Sequence, residues 1–187
     1  MKSIVKAVVI GGGVVGVSTL YHLAAKGWED VILFERKSLT SGSTWHAAGL
    51  LPLFNMSYSV GQIHKYSVRF YHELQEETNM DVGFKKVSNI RLASTQDRMD
   101  EYMQYRGVAE TIGVNVEVLT PSQVKEIWPL VSTDGLIGAI RHPDDGYIQP
   151  ADLTQALAKG ARSRGAKIEI NTEVLNIKRT SDEMWCI

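Results

Sequence analysis

The chain has 187 residues, of which 44% are apolar and 22% charged, with a formal net charge of −1. That is enough for a soluble globular domain with a core of its own, and it leaves no basic stripe for nucleic acid. The one cysteine, Cys186, excludes a disulfide framework and a cysteine-based metal site.

The first residues run from Met1 to Lys6 straight into an apolar stretch that breaks at three glycines. The run Ala7 to Val17 is too short and too glycine-rich to span a bilayer. No secretory or transit-type segment precedes it, so the chain reads as cytoplasmic. Lys6 to Ile10 is a short apolar run, as expected for a buried parallel strand. Val14 to Lys26 carries apolar residues at helical spacing, with Gly27 at its end. Val31 to Glu35 is a second buried strand. The opening is therefore β-α-β within about thirty residues, the mononucleotide-binding unit.

Between the first strand and the helix lies Gly11-Gly12-Gly13-Val14-Val15-Gly16, which fits G-x-G-x-x-G in the required context. Gly11 allows the tight turn, Gly13 lets backbone approach a pyrophosphate, and Gly16 lets helix and strand pack closely. The helix start adds free N–H groups and partial positive charge. Glu35, at the end of the second strand, is placed to accept hydrogen bonds from a ribose and to repel a 2′-phosphate. The motif does not separate FAD from NAD.

Ser38 to Ser43 is small and polar, and Trp45 to Phe54 is mostly apolar without a period. Within Gly42-Ser43-Thr44-Trp45-His46-Ala47-Ala48-Gly49-Leu50, small residues allow backbone to lie against a flat cofactor, and Ser43 and Thr44 offer hydroxyls. His46 reads either as a hydrogen-bonded residue, the usual state of a single histidine among apolar neighbours, or as a covalent attachment point for a flavin. His22, His64, His72 and His142 take the same ordinary reading, as hydrogen-bonded core or near-surface residues, and three of them lie on expected helices with no metal-type partner at i+3 or i+4, so zinc is not expected.

Ser59 to Thr78 reads as an amphipathic helix with Val60, Ile63, Phe70, Tyr71 and Leu74 inward. Phe84 to Ala93 is strand-like, and Thr95 to Gly113 is a charged, exposed-looking helix. Thr120-Pro121-Ser122-Gln123 opens a helix that Pro129 closes. Leu136 to Arg141 is a strand, and Asp144-Asp145-Gly146 a turn. Pro150 opens a helix with Leu153, Ala156, Leu157 and Ala161 on its apolar face and Gly165 at its end. Lys167 to Ile170 and Glu173 to Arg179 read as strands, and Met184 to Ile187 as the start of a return strand. The chain stops in mid-element there, so a fragment of a longer protein is expected. The fold class is α/β: a Rossmann-like lobe from residues 1–80 and 149–187, and a mixed α+β lobe from 81–148.

The run Ser41 to Leu50, with Leu74 to Thr78, Ile90 to Ala93 and Asp145 to Pro150, resembles the dimethylglycine dehydrogenase and sarcosine dehydrogenase family over essentially the whole chain. Thr44-Trp45-His46 is the specific element. The resemblance implies a D-amino-acid-oxidase-like fold with an FAD lobe and a substrate lobe, incomplete here at the C-terminus. It implies covalent flavin on His46. It also implies FAD contacts at Gly11, Gly13, Val14, Val15, Gly16, Glu35, Arg36, the 42–50 loop (Gly42, Ser43, Thr44, Trp45, His46, Ala47, Ala48, Gly49, Leu50) and the Val174 backbone. The implied reaction is oxidation of an N-methyl amine such as dimethylglycine or sarcosine, by hydride transfer to flavin N5. Tetrahydrofolate in a C-terminal domain would capture the one-carbon unit, and an electron-transfer flavoprotein or oxygen would reoxidise the flavin. The family's substrate-side catalytic residues fall outside this sequence. A different flavin amine oxidase of the same fold, or a non-catalytic regulatory relative, would share most of these features. The latter is expected to lose the attachment histidine.

Overall fold

A computed structural model describes residues 4–187. The strands and helices in chain order are β1 (Ala7–Ile10), α1 (Val14–Ala25), β2 (Val31–Phe34), β3 (Leu50–Leu51), α2 (Tyr58–Thr78), β4 (Lys85–Lys86), β5 (Asn89–Ala93), α3 (Gln96–Ile112), β6 (Glu117–Leu119), α4 (Pro121–Ile127), β7 (Gly138–His142), β8 (Gly146–Tyr147), α5 (Pro150–Ser163), β9 (Lys167–Glu169), β10 (Lys178–Arg179) and β11 (Trp185–Cys186). They form two units. One holds the residues up to Gly49 with Glu73–Gly83 and Gln149–Ile187; the other holds Leu50–His72 and Phe84–Ile148. Residues 50–72, expected with the Rossmann-like lobe, pack in the second unit.

The first unit is built on a parallel sheet in the order β1-β2-β9. Val31, Ile32 and Leu33 of β2 are all buried, because the strand lies between two neighbours and under α1. The helix α1 turns Val17, Leu20, Tyr21 and Ala24 inward, spaced three, one and three residues apart. That stripe meets α5, whose buried face includes Leu153, Ala156, Leu157 and Ala161 as the spacing predicts. Contact between the two helices is close because Gly160 has no side chain. A Cβ there would stand 2.6 Å from the Tyr21 ring. Tyr21 donates to Glu77 at 2.6 Å, and Arg164 both pairs with Glu77 and lies over the Tyr21 ring. The Arg164 hydrogen bond holds the Glu77 carboxyl below its ordinary range.

The second unit contains an antiparallel sheet β5-β7-β6 and a small one, β3-β8-β4. Thr120 and Gln123 form the expected capping box at the start of α4. Three expectations need correction. The helix α3 is not simply exposed: Tyr102, Tyr105, Ala109 and Ile112 form a buried stripe. Its tyrosines disguise that stripe, since each buries a ring while its hydroxyl donates to a carbonyl, Leu92 for Tyr102 and Leu53 for Tyr105. On α2, Phe70 and Leu74 are buried but Ile63 is 62% exposed. Gly61, two residues before it, takes the inner position against Ile112. Of the strand expected at 173–179, only Lys178–Arg179 forms a ladder, with Trp185–Cys186. Residues 173–177 have β-forming composition but no ladder partner among the described residues.

Candidate functional site

The glycine turn closes directly on β1. Gly11 has φ of 108°, a conformation open to glycine and costly for other residues. A Cβ on Gly16 would fall 2.0 Å from the Gly11 carbonyl oxygen, so the helix approaches the turn only because position 16 lacks one. A Cβ on Gly11 would meet nothing within 4 Å, and one on Gly13 only the Thr44 hydroxyl, at 3.0 Å. The turn is therefore bare on the side where a ligand's phosphates would come close.

Glu35 extends β2 toward that turn. One carboxylate oxygen accepts from the Gly12 N–H at 2.6 Å and the other from the Lys37 N–H at 2.7 Å. Each oxygen keeps a further lone pair for a ribose hydroxyl. The carboxylate is thus aimed and fixed by backbone. Gly12 contributes here although its place in the motif is free. Its missing Cβ would lie 2.7 Å from Leu39 Cδ2 and 2.9 Å from the Glu35 Cβ. Arg36 is exposed beside it. The segment after β9 docks against the same strand, with the Thr172 N–H donating to the Glu35 carbonyl at 2.8 Å and the Asn171 N–H to that of Lys37 at 3.0 Å. Val174 is half-buried two residues further on.

The 42–50 segment begins as one turn of 3-10 helix, Ser43–His46. Thr44 is buried, and its hydroxyl oxygen accepts from the Val14 N–H at 2.9 Å. It caps α1 from outside the helix, in place of the missing side-chain cap at Gly13. Gly42, Ser43, Trp45, His46, Ala47 and Ala48 are exposed, and Gly49 has φ of 73°. Trp45 shows 73% of its surface. The His46 Nδ1 lies 3.2 Å from the Gly42 carbonyl oxygen. A carbonyl only accepts, so the Nδ1–H tautomer makes this bond and leaves the Nε2 lone pair outward. Leu50 starts β3 and belongs to the second unit.

A family model described as "FAD dependent oxidoreductase" matches residues 6–187. The chain belongs to this family. It is 40% identical to dimethylglycine dehydrogenase, mitochondrial, of Rattus norvegicus over 184 residues, covering 98% of the chain and 22% of that protein. It is 38% identical to sarcosine dehydrogenase, mitochondrial, of Homo sapiens over 184 residues, covering 98% of the chain and 20% of that protein. Among solved structures, L-proline dehydrogenase from P. horikoshii superposes with a TM-score of 0.89 at 28% identity, covering 97% of this chain and 48% of that one. The chain spans about a fifth of the length of the two dehydrogenases. The D-amino-acid-oxidase-like α/β fold expected from the sequence is the fold observed.

The residues present fit an FAD. The open sides of Gly11 and Gly13 offer a bed for a pyrophosphate, Glu35 is held ready as a diol acceptor, and His46 presents its Nε2 beside small residues. Among the described residues, no cluster of His, Cys, Asp and Glu could hold a metal, and no helix is long and apolar enough to cross a membrane.

A second polar constellation lies in the other unit. Tyr105, His142 and Asp145 are all buried. Tyr105 donates to the Leu53 carbonyl at 3.0 Å, so the His142 Nε2–H donates to the Tyr105 oxygen, also at 3.0 Å. Asp145 Oδ1 accepts from the Leu53 N–H at 3.0 Å, and its Oδ2 lies 4.0 Å from His142 Nδ1. Burial pushes the Asp145 carboxyl up to about 6, the His142 imidazole down to about 4 and the Tyr105 phenol up to about 12. Both polar atoms of Leu53 are therefore held by side chains from α3 and the β7–β8 turn. His142 is the hydrogen-bonded core histidine that the sequence suggested, but nothing in the sequence placed Tyr105 or Asp145 beside it.

Proposed function

We propose that the protein carrying this chain oxidises an N-methyl amine, such as dimethylglycine or sarcosine, with FAD bound on the glycine turn and joined covalently to His46. The observation that carries this reading is the Thr44-Trp45-His46 turn, whose Trp45 and His46 are exposed while its buried Thr44 packs on the start of the same helix that the glycine turn opens. The N–H groups of Gly13 and Val15 would meet the pyrophosphate, while Gly11, Val14 and Gly16, whose backbone shapes the turn and the start of α1, lie against it. Glu35 holds the ribose, Arg36 flanks it, and the Val174 backbone meets the adenine. Gly42, Ser43, Ala47, Ala48, Gly49 and Leu50 lie along the rest of the cofactor, and the His46 Nε2 makes the covalent link. An FAD held by these residues would supply the two-electron acceptor for oxidation of the substrate's N-methyl carbon. Small residues around His46 keep the turn thin enough for a ring system to lie against backbone. Tetrahydrofolate capture of the one-carbon unit, and reoxidation by an electron-transfer flavoprotein or oxygen, belong to parts of the protein outside these residues.

The test is anaerobic addition of dimethylglycine, sarcosine or glycine to the full natural protein. The reading expects an N-methyl amine to bleach the flavin and unmethylated glycine to leave it yellow. Bleaching by glycine alone, or by none of the three, would reject the substrate class.

A further inference from the structure

The polar segment from Ser38 to Thr44 holds the glycine turn at two points, by different means. Thr44 uses its hydroxyl, on the Val14 N–H. Thr40 uses its backbone: its N–H donates to the Gly12 carbonyl oxygen at 2.9 Å. To do so Thr40 adopts φ of 69°. That is the left-handed region, where a β-branched side chain crowds its own backbone and is rarely found. Such strain persists only where the surroundings impose it. Here the surroundings are buried Leu39 on one side and the turn 41–44 on the other.

The bond has a directional consequence. In a trans peptide the carbonyl and the following N–H point opposite ways. A donor fixed on the Gly12 oxygen therefore turns the Gly13 N–H away from Thr40. The other polar atom of Gly12, its N–H, is tied to Glu35. Both polar atoms of Gly12 are thus held, and a flip of the peptide between Gly12 and Gly13 would break the Thr40 bond.

We propose that Thr40 is a positioning residue for the cofactor: its strained backbone orients the Gly12–Gly13 peptide so that the Gly13 N–H meets the flavin's pyrophosphate. The proposal rests on the FAD reading above. The conformation carries the role, not the side chain. Glycine, which enters the left-handed region freely, will replace Thr40 without loss. Proline, with φ near −65° and no N–H, will not.

The experiment uses the full natural protein in a His46→Ala background, so that flavin binding is reversible, and starts from flavin-free protein. Thr40→Gly is expected to bind FAD within about twofold of its parent and to unfold at a higher temperature, because the relieved strain outweighs the added chain entropy. Thr40→Pro is expected to bind about tenfold more weakly or worse. Hydrogen exchange on the flavin-free parent is expected to show a protected Thr40 amide. The proposal is overturned if the glycine variant loses as much affinity as the proline variant, or if the proline variant binds as tightly as its parent. Should the proline variant not fold, exchange decides: a Thr40 amide that exchanges at the rate of an unstructured chain overturns the proposal. A parent protein that binds no FAD while its Thr40 amide stays protected rejects the FAD reading, and leaves the clamp as a feature of the fold alone.

Discussion

At the residue scale, the site depends on what backbone does to side chains. Glu35 was legible from its place after the second strand, but its two backbone donors were not, because they depend on how the turn at Gly12 folds back. Glu35→Ala removes the proposed ribose acceptor, which is also the group that pins the Gly12 and Lys37 amides. Titration of the flavin-free full protein with FAD is expected to show a loss on the order of 1.5–3 kcal/mol. Unchanged affinity would mean that other groups hold the ribose. The Asp145–His142 pair makes a different prediction. Asp145 is raised when folded, so its contribution is present below the ordinary carboxylate range near 3.8 and is lost as pH rises through about 6. His142 is lowered when folded, so its contribution is present above 6.5 and is lost as pH falls through about 4. Between about pH 4 and 6 the two slopes oppose each other. Asp145→Asn removes the opposing slope, and stability measured by denaturant should then fall more steeply with acidification than in the wild type in that window. A variant with the same pH profile as the wild type would show that the two groups do not titrate as described.

At the element scale, long periodic segments read well and short irregular ones did not. The β1-α1-β2 opening, the α4 capping box and the apolar face of α5 follow from spacing and capping residues alone. The stripe on α3 was missed because tyrosine satisfies both an apolar face and a carbonyl. The extended reading of 173–177 failed because β-propensity needs a ladder partner to become a strand. Thr40 gave no signal either, since a left-handed threonine is a product of tertiary packing and not of local preference. The contact of α1 with α5 turns on Gly160, whose role appears only when Tyr21 is seen against it. Gly160→Val would drive the Tyr21 ring off its place and strain the Glu77–Arg164 pair beyond it. A loss of about 1–3 kcal/mol in thermal or chemical unfolding is expected, and full stability would mean that the two helices separate at no cost.

At the scale of the whole molecule, the chain supplies a glycine turn, a carboxylate held beside it and a histidine turn, together with a second unit holding its own polar core. It spans about a fifth of the two dehydrogenases. An apolar groove in the first unit, lined by Ile4, Val8, Ile10, Phe34, Ile177 and Trp185, stands open. The α/β class and the family resemblance were legible from the sequence because the fingerprint and the Thr44-Trp45-His46 element are both local runs. The substrate-side chemistry was not, because no such local run carries it here. The central claim, that His46 holds the flavin, is tested most directly by denaturing the full natural protein, separating it on a gel and viewing the band under ultraviolet light. A fluorescent band that disappears in His46→Ala is the result predicted. A dark band from a yellow wild-type protein, or a band that stays fluorescent in the variant, would contradict it.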